Sequence, residues 1–307
     1  MLDFKAAQMK MNRHIIQRLT KLTAIQMFLI VVAITCLFPL FWMVRSSFMT
    51  QETVFVDQAI IPSEIHFENY IKAWTQGQFG LYLFNSVIYT TVVVFGIVII
   101  ASWAAYAFSR FQFPGKRVFF IVFILAMMIP LPGSFVPLTV LMTKIGFINS
   151  PYPWVRQLGY VLCMINVGLS LSIILLKTFF DQMPSDLEDA ARIDGCNKMG
   201  IWRHVALPLA RPAIAVVVIF NALNVWNEYI LAMLLLNDVP GKSTIMPLQR
   251  GVMVFANAHN VEYPLLMAGL TIAAVPIIIV YLFMQKHILA VGEPSKIDLF
   301  KEGRLSR

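Results

Sequence analysis

The chain has 307 residues, of which 59% are hydrophobic and 13% charged, with three cysteines and a formal net charge of +8; mean hydropathy is +0.74. An ordinary soluble domain carries about a quarter charged residues, so this balance excludes a soluble globular enzyme. The basic excess does not indicate nucleic acid either: if the N-terminus lies inside, 18 of the 24 Lys and Arg fall on inside segments, which is the positive-inside bias of a membrane protein.

A helix needs about 20 apolar residues to cross a hydrocarbon core of about 30 Å. Six runs reach that scale, at 24–44, 84–108, 118–142, 158–176, 213–236 and 264–284. The expected fold is all-α: a polytopic membrane protein with six transmembrane helices and a cytoplasmic coupling helix between the fourth and fifth. The expected divisions are a basic N-terminal tail (1–23), the first transmembrane helix (24–44), an external segment (45–83), a transmembrane core (84–286) and a C-terminal tail (287–307). Both tails are expected in the cytoplasm.

In chain order, the tail carries Lys5, Lys10, Arg13, Arg18 and Lys21 among methionines and isoleucines. That pattern fits an amphipathic helix on the inner membrane surface and equally a solvated tail that only fixes topology. The first apolar run has full span length, so it reads as an uncleaved anchor and not as a signal peptide. Water begins at Arg45-Ser46-Ser47, and Phe67 to Trp74 then has the apolar spacing of a short helix on the outer face. The second span ends at Phe113-Pro114-Gly115-Lys116, a Pro-Gly turn. Pro130, Pro132, Gly133 and Pro137 must break the hydrogen-bond ladder of the third. Lipid cannot satisfy the freed carbonyls, so the break faces protein or a watery path, as a packing kink or as a moving gate. Asn166 and Gly168 in the fourth span mark helix-to-helix contact. Cys36, Cys163 and Cys196 show no metal spacing and take small, apolar roles.

The stretch 184–211 is charged and helix-prone inside a chain that is otherwise nearly all apolar. Ser185 followed by Glu188 reads as a capping box, which starts a helix at Asp186. Gly195 ends it. Glu188 and Arg192 sit four apart in the favourable order, and Leu187, Ala190, Ala191 and Asp194 share a face small enough for docking. Asn197 then caps a second helix carrying Ile201, Trp202 and Val205, which Leu207-Pro208 closes.

The order Asp189-Ala190-Ala191, three residues, Gly195, nine residues, Val205, one residue, Leu207-Pro208 resembles the EAA loop of ABC transporter permeases of binding-protein-dependent import systems. Leu187 to Gly195 and Pro208 to Pro212 are most similar to the carbohydrate import group, maltose-type and MalG-like. Tyr106 to Arg110 and the pair Trp226-Asn227 carry the same resemblance. It implies a membrane-spanning, non-enzymatic permease of an ATP-driven importer, translocating a sugar or oligosaccharide delivered by an external solute-binding protein. The implied partners are cytoplasmic ATPase subunits, which hold ATP and Mg, a second homologous permease and membrane lipid. The resemblance further implies that the chain itself binds no cofactor or metal and that its home is the bacterial inner membrane. The implied coupling residues are Ser185, Glu188, Asp189, Ala190, Ala191, Asp194, Gly195, Val205, Leu207 and Pro208. The family's glutamate is aspartate here and its isoleucine is Val205, so both Glu188 and Asp189 are candidates for the carboxylate that reaches the ATPase.

In the fifth span Asn221, Asn224 and Glu228 recur at three and four residues, with Trp226 and Asn227 beside them. A carboxylate at mid-membrane costs about 2.5–3.5 kcal/mol on insertion scales, so this face must look inward. Amides, a carboxylate and an indole suit sugar hydroxyls and ring faces, which makes these five a candidate substrate pathway. Bonds to neighbouring helices or to the partner permease are the other reading. Beyond the span, Gly241-Lys242-Ser243-Thr244 matches the end of a P-loop, but Leu236 stands where the motif requires glycine, and the match is rejected. Gln249, Arg250 and Asn257 are candidates to contact the binding protein from the external loop. A different class of function, an ion-coupled secondary carrier using Glu228, would leave the 184–211 loop unexplained.

Overall fold

The computed structural model describes the backbone of residues 2–129, 131–236, 244–256 and 261–292, and the side chains of these residues from Thr20 onward except at 131, 132 and 284–292. Among them the secondary structure is helical throughout, apart from one isolated bridge between Ala256 and Val261.

Helix α1 (Leu2–Ser47) runs unbroken through the expected boundary between tail and first span. At 1.5 Å per residue its 46 residues reach about 69 Å, far more than a bilayer core. No glycine lies within it, and its basic half is made of adequate helix formers. The tail is thus a continuation of the span rather than a separate surface helix. The apolar window of α1 is unburied by the rest of the chain, and the helix packs against α13 (Tyr263–Gly292).

Arg45 closes α1. It is 3% exposed, donates to the carbonyls of Ala59 (2.7 Å) and Asp57 (2.8 Å), and lies over the Trp42 ring at 4.7 Å. The irregular segment that follows is gathered around this one guanidinium. Asp57 accepts from the N–H groups of Ala59 and Ser63, which hold its carboxyl below the usual range, with Arg45 adding to the effect. Helix α2 (Glu68–Gln76) is the expected short helix, tied down by Asn69, whose amide donates to the carbonyls of Ser47 and Met49.

The bundle proper is built on α3 (Phe79–Arg110) and α6 (Pro153–Gln182), which pack along their lengths. Ala101 and Ala105 are fully buried on α3; small residues four apart let helix backbones approach in a medium that gives no hydrophobic drive to association. Between α3 and α6 stand α4 (Lys116–Met128) and α5 (Leu131–Lys144), the expected third span. It is not a straight crossing: Lys116–Met128 and Gly133–Lys144 are bent by 111°. The sequence puts Pro130 and Pro132 at the joint, and both lack the N–H that would continue the ladder.

After α6 come α7 (Asp186–Ile193), α8 (Lys198–Ile201), a π turn (Trp202–Ala206) and α9 (Leu207–Leu209). Helix α10 (Arg211–Asn227) follows, and at its end the expected fifth span breaks. Glu228 is extended (φ −73, ψ 117), and a new helix, α11 (Ile230–Leu235), starts beyond Tyr229. Helix α12 (Leu248–Met253) precedes α13. Four described helices are long and apolar enough to cross a membrane: Thr20–Ser47, Phe79–Arg110, Pro153–Gln182 and Tyr263–Phe283. Two bent pairs qualify as well if each is taken as one span.

Candidate functional site

Two features gather the candidate residues: the loop α7 to α9 at one end of the bundle, and a cavity among the helices.

Helix α7 begins with Asp186, Glu188 and Asp189 in its first turn, where the helix dipole favours acids. The expected capping box does not form. Ser185 is itself helical (φ −63, ψ −29) and makes no side-chain cap, while its carbonyl accepts from the N–H groups of Glu188 and Asp189 at 2.9 and 3.0 Å. The carboxylate of Glu188 goes elsewhere, to Arg110 at the end of α3, with Nε to Oε1 at 2.7 Å. Neither atom makes a hydrogen bond there, so the contact is an off-axis ion pair. Arg192 pairs closely with Asp189 (2.7 Å) and more loosely with Glu188 (3.8 Å).

Gly195 ends the helix as expected, at φ +84, a backbone region that L side chains adopt only with strain. The N–H of Cys196 bonds to Ala191 O and that of Gly195 to Arg192 O, the paired bonds of a Schellman motif. Asn197 caps α8 by accepting from the Gly200 N–H at 2.8 Å.

The apolar residues of the second half turn inward and not toward water. Ile201 and Trp202 are buried, Val205 and Leu207 half-buried, and the Trp202 ring meets Trp103 of α3 at 5.0 Å. Nor does Pro208 close the helix, which runs on to Leu209. The π turn before it bonds Leu207 N–H to Trp202 O, a widened turn that adapts the ladder to the missing donor at Pro208.

On the outer surface of the loop lie Leu187, Asp189, Ala190, Asp194 and Pro208, joined by Ile193, which is 88% exposed. Ala191, expected on the same docking face, is buried beneath it, as is Glu188. Ile193 is a residue the pattern reading passed over; an isoleucine directly before Asp-Gly in a charged helix was the available signal.

The cavity encloses about 480 Å³ between α4, α5, α6 and α10. Its polar lining is Asn221 and Asn224 from α10, Asn166 and Ser170 from α6, and Ser134 from α5, among methionines, Phe220 and aliphatic side chains. Asn221 is 3% exposed and its amide donates to Ser172 Oγ (2.9 Å) and to Val217 O (2.8 Å). It holds α10 to α6. Asn224 and Asn166 are exposed toward the space. Asn166 therefore lines the cavity, where its position in mid-span had suggested a helix contact.

The remaining fifth-span candidates lie elsewhere. Trp226 is buried and donates from Nε1 to Ala273 O of α13 at 3.2 Å; Asn227 bonds back to Leu223 O. Glu228 does not continue the face of Asn221 and Asn224, because the helix breaks before it. Its carboxylate accepts from the Leu231 N–H at 2.7 Å and so caps α11. A chain break inside a span frees backbone donors, and the acid satisfies one of them.

At the opposite end from the loop, residues 244–255 fold down onto α3. Asn85 donates to Thr244 O and Met246 O, Tyr89 to Ile245 O, and the Leu248 N–H donates to Ser86 Oγ. Gln249 and Arg250 sit in this packed segment, half-buried, with Gln249 donating to Trp226 O at 3.3 Å. Asn257 lies outside the described residues. Among the described residues no group of His, Cys, Asp and Glu could hold a metal ion.

Residues 97–290 match the family described as "Binding-protein-dependent transport system inner membrane component". The chain is 34% identical over 265 residues to the probable ABC transporter permease protein YurM of Bacillus subtilis (strain 168), covering 86% of this chain and 85% of that protein. It is 30% identical over 262 residues to the diacetylchitobiose uptake system permease protein NgcG of Streptomyces coelicolor, covering 85% and 83%. Among solved structures it is similar to a bacterial ABC transporter involved in the import of the acidic polysaccharide alginate. The TM-score is 0.71 at 25% identity, and the match covers 84% of this chain and 93% of that one.

Proposed function

Because the chain belongs to the family of inner membrane components of binding-protein-dependent transport systems, we propose that it is the membrane-spanning permease subunit of an ATP-driven importer for a sugar or oligosaccharide. It is a non-enzymatic, multi-pass subunit, and ATP with Mg belongs on a separate ATPase. On this reading the chain crosses the inner membrane six times, α4 with α5 making the third crossing and α10 with α11 the fifth, and both termini and the 184–211 loop lie in the cytoplasm. A second permease and an external solute-binding protein complete the system.

One observation carries this reading: a two-helix element of the family's pattern stands at the end of the bundle with an outer face of Leu187, Asp189, Ala190, Ile193 and Asp194. A face with so prominent an isoleucine, free of the bilayer, is suited to a groove in another protein. The ATPase closes, draws the loop with it, and the bundle changes access around the cavity as packed elements move between two arrangements. The amides of Asn166 and Asn224 face the cavity with donors and acceptors that sugar hydroxyls can pair with. The relatives named for diacetylchitobiose and the neighbour named for alginate support a carbohydrate cargo. Glu228, engaged as a helix cap, lends nothing to an ion-coupled carrier.

The test is purification of the tagged chain from its native membrane in mild detergent, with identification of its companions by mass spectrometry. An ATPase and a second permease are expected with the wild type, and the ATPase is expected to be lost from Asp189→Lys while the chain stays in the membrane. Recovery of the chain alone from both preparations would refute the reading.

A further inference from the structure

Adjacent carboxylates on α7 have opposite surroundings. The Asp189 side chain is 59% exposed and pairs with Arg192 of its own helix. The Glu188 side chain is 5% exposed and lies against Arg110, the last residue of α3. Arg110 also donates to Met183 O (2.6 Å), in the link from α6 to α7, and its neighbour Ser109 donates to Asp181 (2.7 Å) at the end of α6. Two residues at the end of α3 thus grip α6, the link and the loop together. A carboxylate buried this far cannot touch a protein docked on the outer face, and an ion pair so enclosed strongly resists separation, since either partner alone would be an uncompensated charge.

Helix α3 contains no proline across its 32 residues, about 48 Å. Near its other end, Asn85, Ser86 and Tyr89 make the four bonds that hold the backbone of residues 244–248. One uninterrupted helix therefore has side-chain anchors to the loop at one end and to the 244–248 segment at the other.

We propose that Glu188 is a positioning residue that joins α7 to α3 through Arg110, and that α3 carries displacement of the loop to the 244–248 segment, while Asp189 is the carboxylate that docks on the partner. This rests on the loop being the ATPase-coupling element.

The experiment uses the complex purified from its native membrane, with ATP and vanadate trapping the ATPase in its closed state, and reads amide hydrogen exchange along this chain. In the wild type, trapping is expected to change exchange both in 186–209 and at 244–252. In Glu188→Gln and Arg110→Gln the ATPase still co-purifies and the change in 186–209 persists, but the change at 244–252 falls at least fivefold. The reversed pair, Arg110→Glu with Glu188→Arg, restores part of it, which a purely structural role of either side chain would not predict. A full response at 244–252 in either single variant overturns the proposal, as does loss of the ATPase from Glu188→Gln. If the variants fail to reach the membrane, the wild type decides: trapping that changes 186–209 and leaves 244–252 untouched overturns it. Absence of any ATPase from the wild-type complex would sink the coupling reading itself, a separate outcome.

Discussion

A graded substitution of Gly195 isolates one backbone angle as the determinant of the loop. The residue sits at φ +84, and a Cβ built there meets no atom within 4 Å. Steric crowding by neighbours is thus absent, and the cost of a side chain is that of the left-handed region alone, about 1–2 kcal/mol for an ordinary L-residue. Asparagine visits that region readily, and a β-branched residue least of all. A loss of 1–2 kcal/mol is a factor of roughly 5–30 in a local equilibrium. The Cys196 amide, which bonds to Ala191 O at 2.9 Å, reports directly on that equilibrium. Its hydrogen exchange in the purified protein is expected to be close to wild type for Gly195→Asn, about 5–30 times faster for Gly195→Ala, and faster still for Gly195→Val. Uptake should decline in the same order, with equal amounts of protein in the membrane. Equal exchange in the three variants, or a valine variant indistinguishable from wild type, would refute the assignment of the turn to this angle.

Gly168 presents the opposite case: an added Cβ would collide with Asn221 Oδ1 and Ile97 Cδ1. Gly168→Ala should lower the melting temperature through overpacking worth about 1–3 kcal/mol; unchanged melting would mean α6 and α10 are less closely apposed. Asn224→Leu should alter uptake with melting unchanged, and Asn221→Leu should lower melting by loss of its bonds to Ser172 and Val217, about 1 kcal/mol each; the reverse pattern in thermal scans and transport would exchange their roles. Because its bonds from Ala59 and Ser63, helped by Arg45, depress the Asp57 carboxyl, its stabilisation is present above the ordinary value of about 3.9 and disappears as pH falls through the lower folded value. Protection of the Ala59 and Ser63 amides should therefore persist at pH 5 and fail on stronger acidification, whereas failure at pH 5 would contradict the depressed value.

The local grammar of the loop was legible. Its boundaries at Gly195 and Asn197 follow from turn and cap chemistry that acts over three or four residues, while the start at Asp186 was reached through a capping box that does not form. The partner of Glu188 was not, because Arg110 is distant in sequence and a capping box was the nearest use for the side chain. Misreading of the fifth span has a different cause. Spacing places Asn221, Asn224 and Glu228 on one face only if the helix continues, and periodicity contains no sign that it stops; the sign was the acid itself, able to cap a second helix from within the membrane. Asn166 was visible as a polar residue in mid-span, but a contact and a cavity wall have the same sequence signature. In a bilayer both the buried and lipid-facing sides of a span are apolar, so pattern alone separates them poorly.

The angle between the end of the loop and the fifth helix limits what can pass between them. Lys198–Leu209 and Arg211–Asn227 meet at 76°, so a shift along the first axis projects only about a quarter of its length onto the second. Nearly all of it becomes a sideways sweep of the base of α10. Sliding that helix along its own axis would draw apolar side chains into water at one end, at about 25 cal/mol per Å² uncovered. A sweep within the membrane plane exchanges one apolar neighbour for another. If the loop is the coupling element proposed above, the near-right angle at Ala210 is a crank, turning its displacement into the direction of motion that a lipid environment opposes least.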